Sequence, residues 1–135
     1  MNADGSGRRR LTNHKGVVDY SPRWSPDGRT IAFSASTPDR PQEIYVGDIN
    51  DPDKARRLTD IHPELASAWL GETEEVKWKA TDGLEIPGNI VYPAGYVKGK
   101  AYPTVTLIHG GPAGNFNNSF SGIYYCPAQY FAGQG

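Results

Sequence analysis

Short apolar runs separated by turn-forming residues fill the first sixty residues of the chain. Four of these runs have the length and the β-branched and aromatic content of strands: 17–24, 30–34, 43–49 and 55–59. Ser25-Pro26-Asp27-Gly28 separates the first two; in it proline fixes φ, aspartate caps locally and glycine accepts a positive φ. A loop is expected at 37–41. The pattern predicts four short strands joined by turns.

A second region of alternating polarity follows a stretch without clear periodicity at 61–72. Residues 75–81 alternate apolar and polar positions, Asp82-Gly83 is a hairpin signal, and 84–92 continues the alternation. These features predict an antiparallel hairpin. The large aromatic side chains on the predicted strands are expected in the core: Trp24, Phe33, Trp78 and Tyr92.

The run 104–108 has the length and apolar content that predict a buried strand. It ends at His109 and is followed by Gly110-Gly111-Pro112. A buried strand that ends in a Gly-rich turn places backbone N–H groups at the C-terminal edge of a sheet, where open α/β sheets bind ligands. After a polar loop, a helix is expected to begin within 127–131.

Composition and charge restrict the classes of function. The 135 residues have a formal net charge of −1, which gives no electrostatic reason to expect a nucleic acid or an anionic membrane as partner. No apolar stretch approaches the roughly 18 residues that span a bilayer, so a soluble protein is expected. The single cysteine, Cys126, cannot form an internal disulfide and is expected to be buried. The compartment stays open, with the cytoplasm favoured over the periplasm or secretion.

One short sequence occurs twice. Arg9-Arg10-Leu11-Thr12 recurs 47 positions later as Arg56-Arg57-Leu58-Thr59. That period is close to the roughly 40–50 residues of a propeller blade of four strands. The segment therefore predicts one blade preceded by the tail of another. Because one blade cannot bury its own faces, further blades are expected upstream.

Several short sequence motifs of the first region resemble the TolB-type propeller repeat. They are Trp24-Ser25-Pro26-Asp27-Gly28-Arg29, Ile31-Ala32-Phe33-Ser34, Ile44-Tyr45-Val46 and Arg57-Leu58-Thr59. The order of blade, linker, hairpin and His109-Gly110-Gly111-Pro112 resembles the prolyl oligopeptidase family of serine peptidases, and within it the acylaminoacyl-peptidase branch. The resemblance implies a mainly β fragment: part of a propeller at 1–60, a linker at 61–72 and the first part of an α/β-hydrolase domain at 73–135.

The resemblance also implies a chemistry. Family members cleave short peptides with a Ser-His-Asp triad at the interface of propeller and hydrolase, and need no metal or organic cofactor. The loop after the buried strand supplies one oxyanion-hole N–H, here assigned to Gly111, while His109, Gly110 and Pro112 shape the loop. His109 is not expected to be the catalytic base, because in hydrolases the base follows the nucleophile and the acid along the chain.

No part of the chain reads Gly-x-Ser-x-Gly, so the triad is expected beyond Gly135 and the chain alone is expected to be inactive. Phe116 and Tyr124 follow the loop and are expected to line the substrate pocket. Two alternatives stay open: a non-catalytic propeller-type binding module with a degenerate hydrolase tail, and an esterase of the α/β-hydrolase superfamily. The oligomeric state cannot be inferred.

Overall fold

The computed structural model of the protein describes residues 1, 3–13, 18–111, 113–122 and 124–135. Two antiparallel sheets and one short helix make up the regular structure of this part of the chain, which confirms the mainly β prediction. The strands and helix, in chain order, are β1 (Val18–Trp24), β2 (Thr30–Thr37), β3 (Arg40–Asp48), β4 (Arg56–Arg57), β5 (Thr73–Lys79), β6 (Glu85–Val91) and α1 (Ala128–Gln134). Single turns of 3-10 helix occupy Pro52–Lys54 and Pro63–Ser67. None of the described helices is long and apolar enough to cross a membrane.

The first sheet has the order β1-β2-β3-β4, and every pair of neighbours is antiparallel. Alternate side chains of β2 point into its core: Ile31, Phe33 and Ala35 are all buried. The Phe33 and Tyr45 rings stack across β2 and β3 with centroids 5.8 Å apart. Four short strands joined by turns were predicted here, and four are found. Their membership of a propeller stays a prediction.

Two boundaries in the first sheet differ from the sequence-based expectation. The loop expected at 37–41 is a two-residue turn at Pro38 and Asp39, so that Thr37 pairs with Arg40. The last strand, expected over 55–59, is only two residues long. Its pairing with β3 continues through a backbone bond from Leu58 N–H to the Ile44 carbonyl, 2.7 Å. Val17, the predicted start of the first strand, lies outside the described residues.

A buried carboxylate fastens this edge of the sheet. Glu43 is 1% exposed and accepts hydrogen bonds from the Thr59 hydroxyl and from Ile61 N–H, the latter at 2.9 Å. Burial by itself raises the pKa of Glu43, but these two hydrogen bonds and the charges of Arg57 and Arg40 outweigh it, so the pKa is lowered overall. The ionised form therefore ties β3 to the segment that follows β4.

Thr59 explains part of the repeated sequence. Its hydroxyl donates to Glu43 and accepts from Ile44 N–H at 2.9 Å, so the side chain substitutes for a backbone group of the strand. Thr12, at the matching position of the other copy, donates to the Asp19 carboxylate at 2.6 Å. In both copies the threonine bridges to an acidic residue, but only the second bridge involves a buried one.

The second sheet is the predicted hairpin. β5 and β6 pair over seven residues, from Thr73 with Val91 to Lys79 with Glu85. Ala80 N–H donates to the Leu84 carbonyl at 2.8 Å, and Gly83 in the turn has φ +86°. The positive φ is the reason for glycine at this point of the turn.

The expected burial of the large aromatic residues is only partly correct. Phe33 is buried, and Tyr92 is partly buried with its hydroxyl donating to Glu74 at 2.6 Å. Trp24 and Trp78 are 58% and 50% exposed, so the core prediction is wrong for both. The Trp78 indole lies over Gly88 of the facing strand, where a Cβ would come within 2.7 Å of the ring. In this two-stranded sheet the Trp78 side chain therefore packs on the neighbouring strand and is not enclosed between two layers.

The predicted buried strand at 104–108 is wrong for this structure. The segment has no regular secondary structure, and Val105 and Ile108 are 61% and 86% exposed. An apolar run forms a buried strand only when neighbouring strands pair with it and layers cover both faces. In the described part of the chain, all six strands pair with one another and none pairs with 104–108.

The helix was predicted correctly. α1 begins one residue after Pro127, and Ala132 on its buried face accepts a hydrogen bond from Ala94 N–H at 2.8 Å. Cys126, just before the helix, is buried as expected.

Replacing Thr59 with valine should lower the free energy of unfolding by about 1.5–3 kcal/mol, because the buried Glu43 carboxylate loses a hydrogen bond and Ile44 N–H loses its acceptor. Thr12→Val is the matched control: its bridge to Asp19 is exposed, so a loss within about 0.5 kcal/mol is expected. Urea unfolding of both variants measures the difference. Equal losses would mean that burial of the bridge does not matter.

The lowered pKa of Glu43 predicts the direction of the pH dependence. A carboxylate whose pKa is lower in the folded state contributes stability above its unfolded pKa, near the ordinary value of 4.5, and loses it as pH falls through the folded pKa. The free energy of unfolding should therefore fall below about pH 4.5, and Glu43→Gln should fall less steeply. Parallel pH profiles for the two proteins would assign the acid sensitivity to other carboxylates.

Candidate functional site

An open cavity of about 810 Å³ lies between the first sheet and the segment that follows Leu107. The first sheet contributes Tyr20, Ser36, Pro41 and Gln42 to its lining. The later segment contributes both backbone and side chains, among them His109, Gly110, Gly114, Asn115, Phe116 and Tyr125. Among the described residues, this lining holds no Asp, Glu, Lys or Arg. The cavity therefore suits a ligand recognised by neutral hydrogen-bonding groups and apolar contacts.

The residues just after the apolar run, His109 and Gly110, lie against Gly114 and Phe116. The His109 and Phe116 rings meet edge to face, with centroids 5.9 Å apart and planes at 80°. A Cβ on Gly114 would lie 2.6 Å from the Gly110 carbonyl oxygen and 3.2 Å from His109 Nδ1. Only glycine permits this approach, because a backbone carbonyl cannot move aside as a flexible side chain can.

His109 lies beside Gly110 and Phe116, and its role in shaping the loop stays a prediction. Its Nδ1 lies 3.3 Å from the Gly110 carbonyl oxygen. In the described part of the chain, no group of three His, Cys, Asp or Glu residues is arranged to hold a metal ion.

The two glycines of the turn differ in conformation. Gly111 has φ +70°, in the left-handed region, whereas the φ of Gly110 lies outside it. A Cβ on either residue would meet no atom within 4 Å, so both stand in open space. Among the described residues, none accepts a hydrogen bond from Gly111 N–H. An exposed, unpaired N–H can donate to an anionic oxygen that approaches it. Pro112, also assigned to this loop, lies outside the described residues.

The two aromatic residues expected in a substrate pocket occupy different places. Phe116 lines the cavity and is 40% exposed. Tyr124 is 99% exposed and is not among the lining residues, whereas its neighbour Tyr125 is. A role of Phe116 or Tyr124 in binding a substrate stays a prediction.

Sequence reasoning missed Gly114, Tyr125 and the wall formed by the first sheet. Gly114 carries a signal of its own, because a glycine three residues after another glycine in a turn permits a close return of the backbone. No sequence signal marks Tyr20 and Gln42 as site residues, since packing of distant segments brings them to the cavity.

Comparison with known proteins gives the class of relatives. No protein-family model matches the chain. It is 33% identical over 107 residues to dipeptidyl-peptidase 5 of Trichophyton equinum, which covers 78% of this chain and 12% of that protein. It is 30% identical over 89 residues to the uncharacterized peptidase YuxL of Bacillus subtilis strain 168, covering 65% of this chain and 13% of that one. The chain thus spans about an eighth of the length of these relatives.

A solved structure shares the fold. The chain superimposes on a variant of the AtxE2 isopeptidase, determined with Astexin3-dC4 bound, with a TM-score of 0.60. The match covers 76% of this chain and 15% of the isopeptidase, at 18% identity. The chain is therefore similar in sequence to proteins named as peptidases, and similar in fold to part of an isopeptidase.

Removing the Phe116 ring should change the magnetic environment of His109, because the two rings meet edge to face. In Phe116→Ala the His109 ring-proton resonances should move measurably, while Tyr124→Ala, which removes a nearly fully exposed ring, should leave them in place. Two-dimensional NMR of the imidazole groups makes the comparison. Unchanged His109 resonances in Phe116→Ala would contradict the loop conformation.

Proposed function

We propose that this chain is part of a serine peptidase of the prolyl oligopeptidase family that hydrolyses short peptides or acyl-peptides. The observation that carries the proposal is the 33% identity to dipeptidyl-peptidase 5 over 107 residues. The alignment extends over 78% of the chain. The fold likeness to an isopeptidase supports the same class of chemistry.

In this proposal the chain crosses two domains. Residues 1–60 belong to a propeller, 61–72 to a linker and 73–135 to the first part of an α/β-hydrolase domain. The four-stranded first sheet supports the propeller assignment, because its strands follow one another in the order of a blade. The triad belongs to a part of the longer protein that this chain does not contain, so the chain alone has no peptidase activity.

Gly111 is the proposed oxyanion donor. When a serine attacks a peptide carbonyl, negative charge develops on the carbonyl oxygen, and a fixed backbone N–H stabilises it without reorganisation. The N–H of Gly111 supports this role, because it belongs to an exposed residue in a turn held by Gly110, His109 and Gly114 and has no acceptor among the residues that the structure describes. One such donor contributes about 2.7–4 kcal/mol to lowering the barrier.

The cavity beside the loop is the proposed peptide site. Its neutral lining suits the amide groups and side chains of a peptide, and Phe116 offers an apolar surface to one side chain. Tyr124, which is almost fully exposed and is not among the described lining residues, is proposed as a further contact. Peptide hydrolysis at this site uses no cofactor.

The test uses the full-length protein that contains this sequence. Gly111→Ala places an L-residue at φ +70°, where its Cβ strains the backbone. Relief of that strain changes φ and turns the N–H away from the substrate oxygen. We expect kcat on chromogenic dipeptidyl and acyl-aminoacyl substrates to fall by up to about 100- to 1,000-fold, with KM little changed. Gly99→Ala is the matched control: its φ of +89° imposes the same strain in open surroundings, but it lies outside the cavity lining, so kcat should change by less than about threefold.

Two outcomes would contradict the proposal. If the full-length protein is not labelled by a fluorophosphonate probe for active serines, it is not a serine hydrolase. If Gly111→Ala and Gly99→Ala have the same kcat, Gly111 is not the oxyanion donor even though the peptidase assignment holds. Hydrolysis of simple esters with no cleavage of peptides would instead favour the esterase alternative.

A further inference from the structure

The side-chain amide of Gln129 connects three distant segments. It lies on α1, is 5% exposed, and accepts a hydrogen bond from Gly71 N–H at 2.8 Å. Its Nε2 donates to the Gly71 carbonyl at 3.0 Å and to the Pro38 carbonyl at 3.4 Å. Gly71 lies between β4 and β5 along the chain, and Pro38 lies in the turn between β2 and β3. One buried amide therefore joins α1 to the segment before β5 and to a turn of the first sheet.

Gly71 fits this contact because it has no side chain. A Cβ there would lie 2.1 Å from the Tyr92 carbonyl oxygen and 2.7 Å from the Ala132 Cβ. The first distance involves backbone, which cannot yield cheaply. With both of its backbone groups facing Gln129, Gly71 depends on that one side chain for a donor and an acceptor in a buried place.

A second polar link joins the same parts of the molecule. Phe120 N–H donates to the Ser36 hydroxyl at 3.2 Å, and Ser36 is 4% exposed. Ser36 and Phe120 both line the cavity. Gln129 N–H also donates to the Ser121 carbonyl at 2.8 Å, and Ser121 is a third lining residue. The two links thus hold the first sheet against the segment that forms the opposite wall.

We propose that Gln129 is a positioning residue that fixes the separation of the two cavity walls, with the Ser36–Phe120 bond as its second support. The amide side chain does this because it can donate and accept at the same time. A carboxylate at this position would keep the bond from Gly71 N–H but could not donate to the Gly71 and Pro38 carbonyls. The inference does not rest on the peptidase assignment, since it concerns distances within this chain.

The test measures the distance between the two cavity walls in this 135-residue chain. Spin labels replace two exposed residues outside the cavity lining, Lys54 after β3 and Ala113 in the opposite wall, and are introduced as non-natural amino acids so that Cys126 is untouched. Pulsed electron resonance then gives the distribution of the distance between the labels, and hydrogen exchange gives the protection of Gly71 N–H. Circular dichroism checks that each variant is folded.

Gln129→Met should widen the distance distribution and raise the exchange rate of Gly71 N–H by about tenfold, as expected for the loss of one buried hydrogen bond. Gln129→Glu should widen the distribution while leaving the Gly71 exchange rate within about threefold of the parent. Gln134→Met is the matched control, since Gln134 is an exposed glutamine of the same helix. It should change neither measurement.

A parent-like distance distribution in both folded Gln129 variants would overturn the proposal and leave Gln129 with a local role at Gly71. Equal widening in Gln134→Met would overturn it as well. If Gln129→Met fails to fold, Gln129→Glu and Ser36→Ala decide the question. Parent-like distributions in these two would overturn the proposal, and wider ones would support it.

Discussion

This structure depends on the hydrogen bonds that a few buried polar side chains make between distant segments. The buried apolar residues of the described chain are few, and those that form a cluster all come from β2: Ile31, Phe33 and Ala35. Hydrogen bonds between residues distant in the sequence are made by three polar side chains, each at least 95% buried: Glu43, Ser36 and Gln129. Because a buried polar group costs free energy unless it is paired, each of these side chains specifies one arrangement of its neighbours.

The same constraint places the site. The wall contributed by the first sheet and the wall contributed by 108–121 belong to segments that are distant in sequence. Glu43 fastens the outer edge of the first sheet, and Ser36 and Gln129 fasten its β2–β3 end to the opposite wall. Between these points the loop at His109 is held by its own glycines, which leaves the N–H of Gly111 exposed. In the proposed function, this N–H is a donor whose position is set before a peptide carbonyl binds.

Sequence patterns correctly predicted the features that depend on interactions between residues close in the sequence. The turn at Ser25–Gly28, the hairpin around Gly83 and the helix after Pro127 all follow from residues within a few positions of one another. The predicted buried strand at 104–108 is wrong because burial of a strand depends on partner strands, and no sequence pattern reports whether they are present. The predicted burial of Trp24 and Trp78 is wrong for the same reason.

The site was predictable only in its loop. His109, Gly110 and Gly111 stand next to one another in the sequence, so their turn could be inferred from it. The opposite wall and Gln129 could not, since a polar side chain in a helix pattern usually faces water. Thr59 is an intermediate case: its recurrence within Arg-Leu-Thr marked it, but the buried carboxylate that it bridges became visible only through the pairing of β3.

The exposed segment 104–108 has a consequence for the behaviour of the polypeptide in solution. Threonine, valine and isoleucine, which make up four of its five residues, favour extended backbone, and the segment lacks charge. From Ala101 to Gly135 the sequence contains no Asp, Glu, Lys or Arg at all. Such a stretch can stack against copies of itself as cross-β structure. The residues that oppose this are Pro103 on one side and Gly110-Gly111-Pro112 on the other, so the sequence proposed to serve in catalysis also favours protection against self-association.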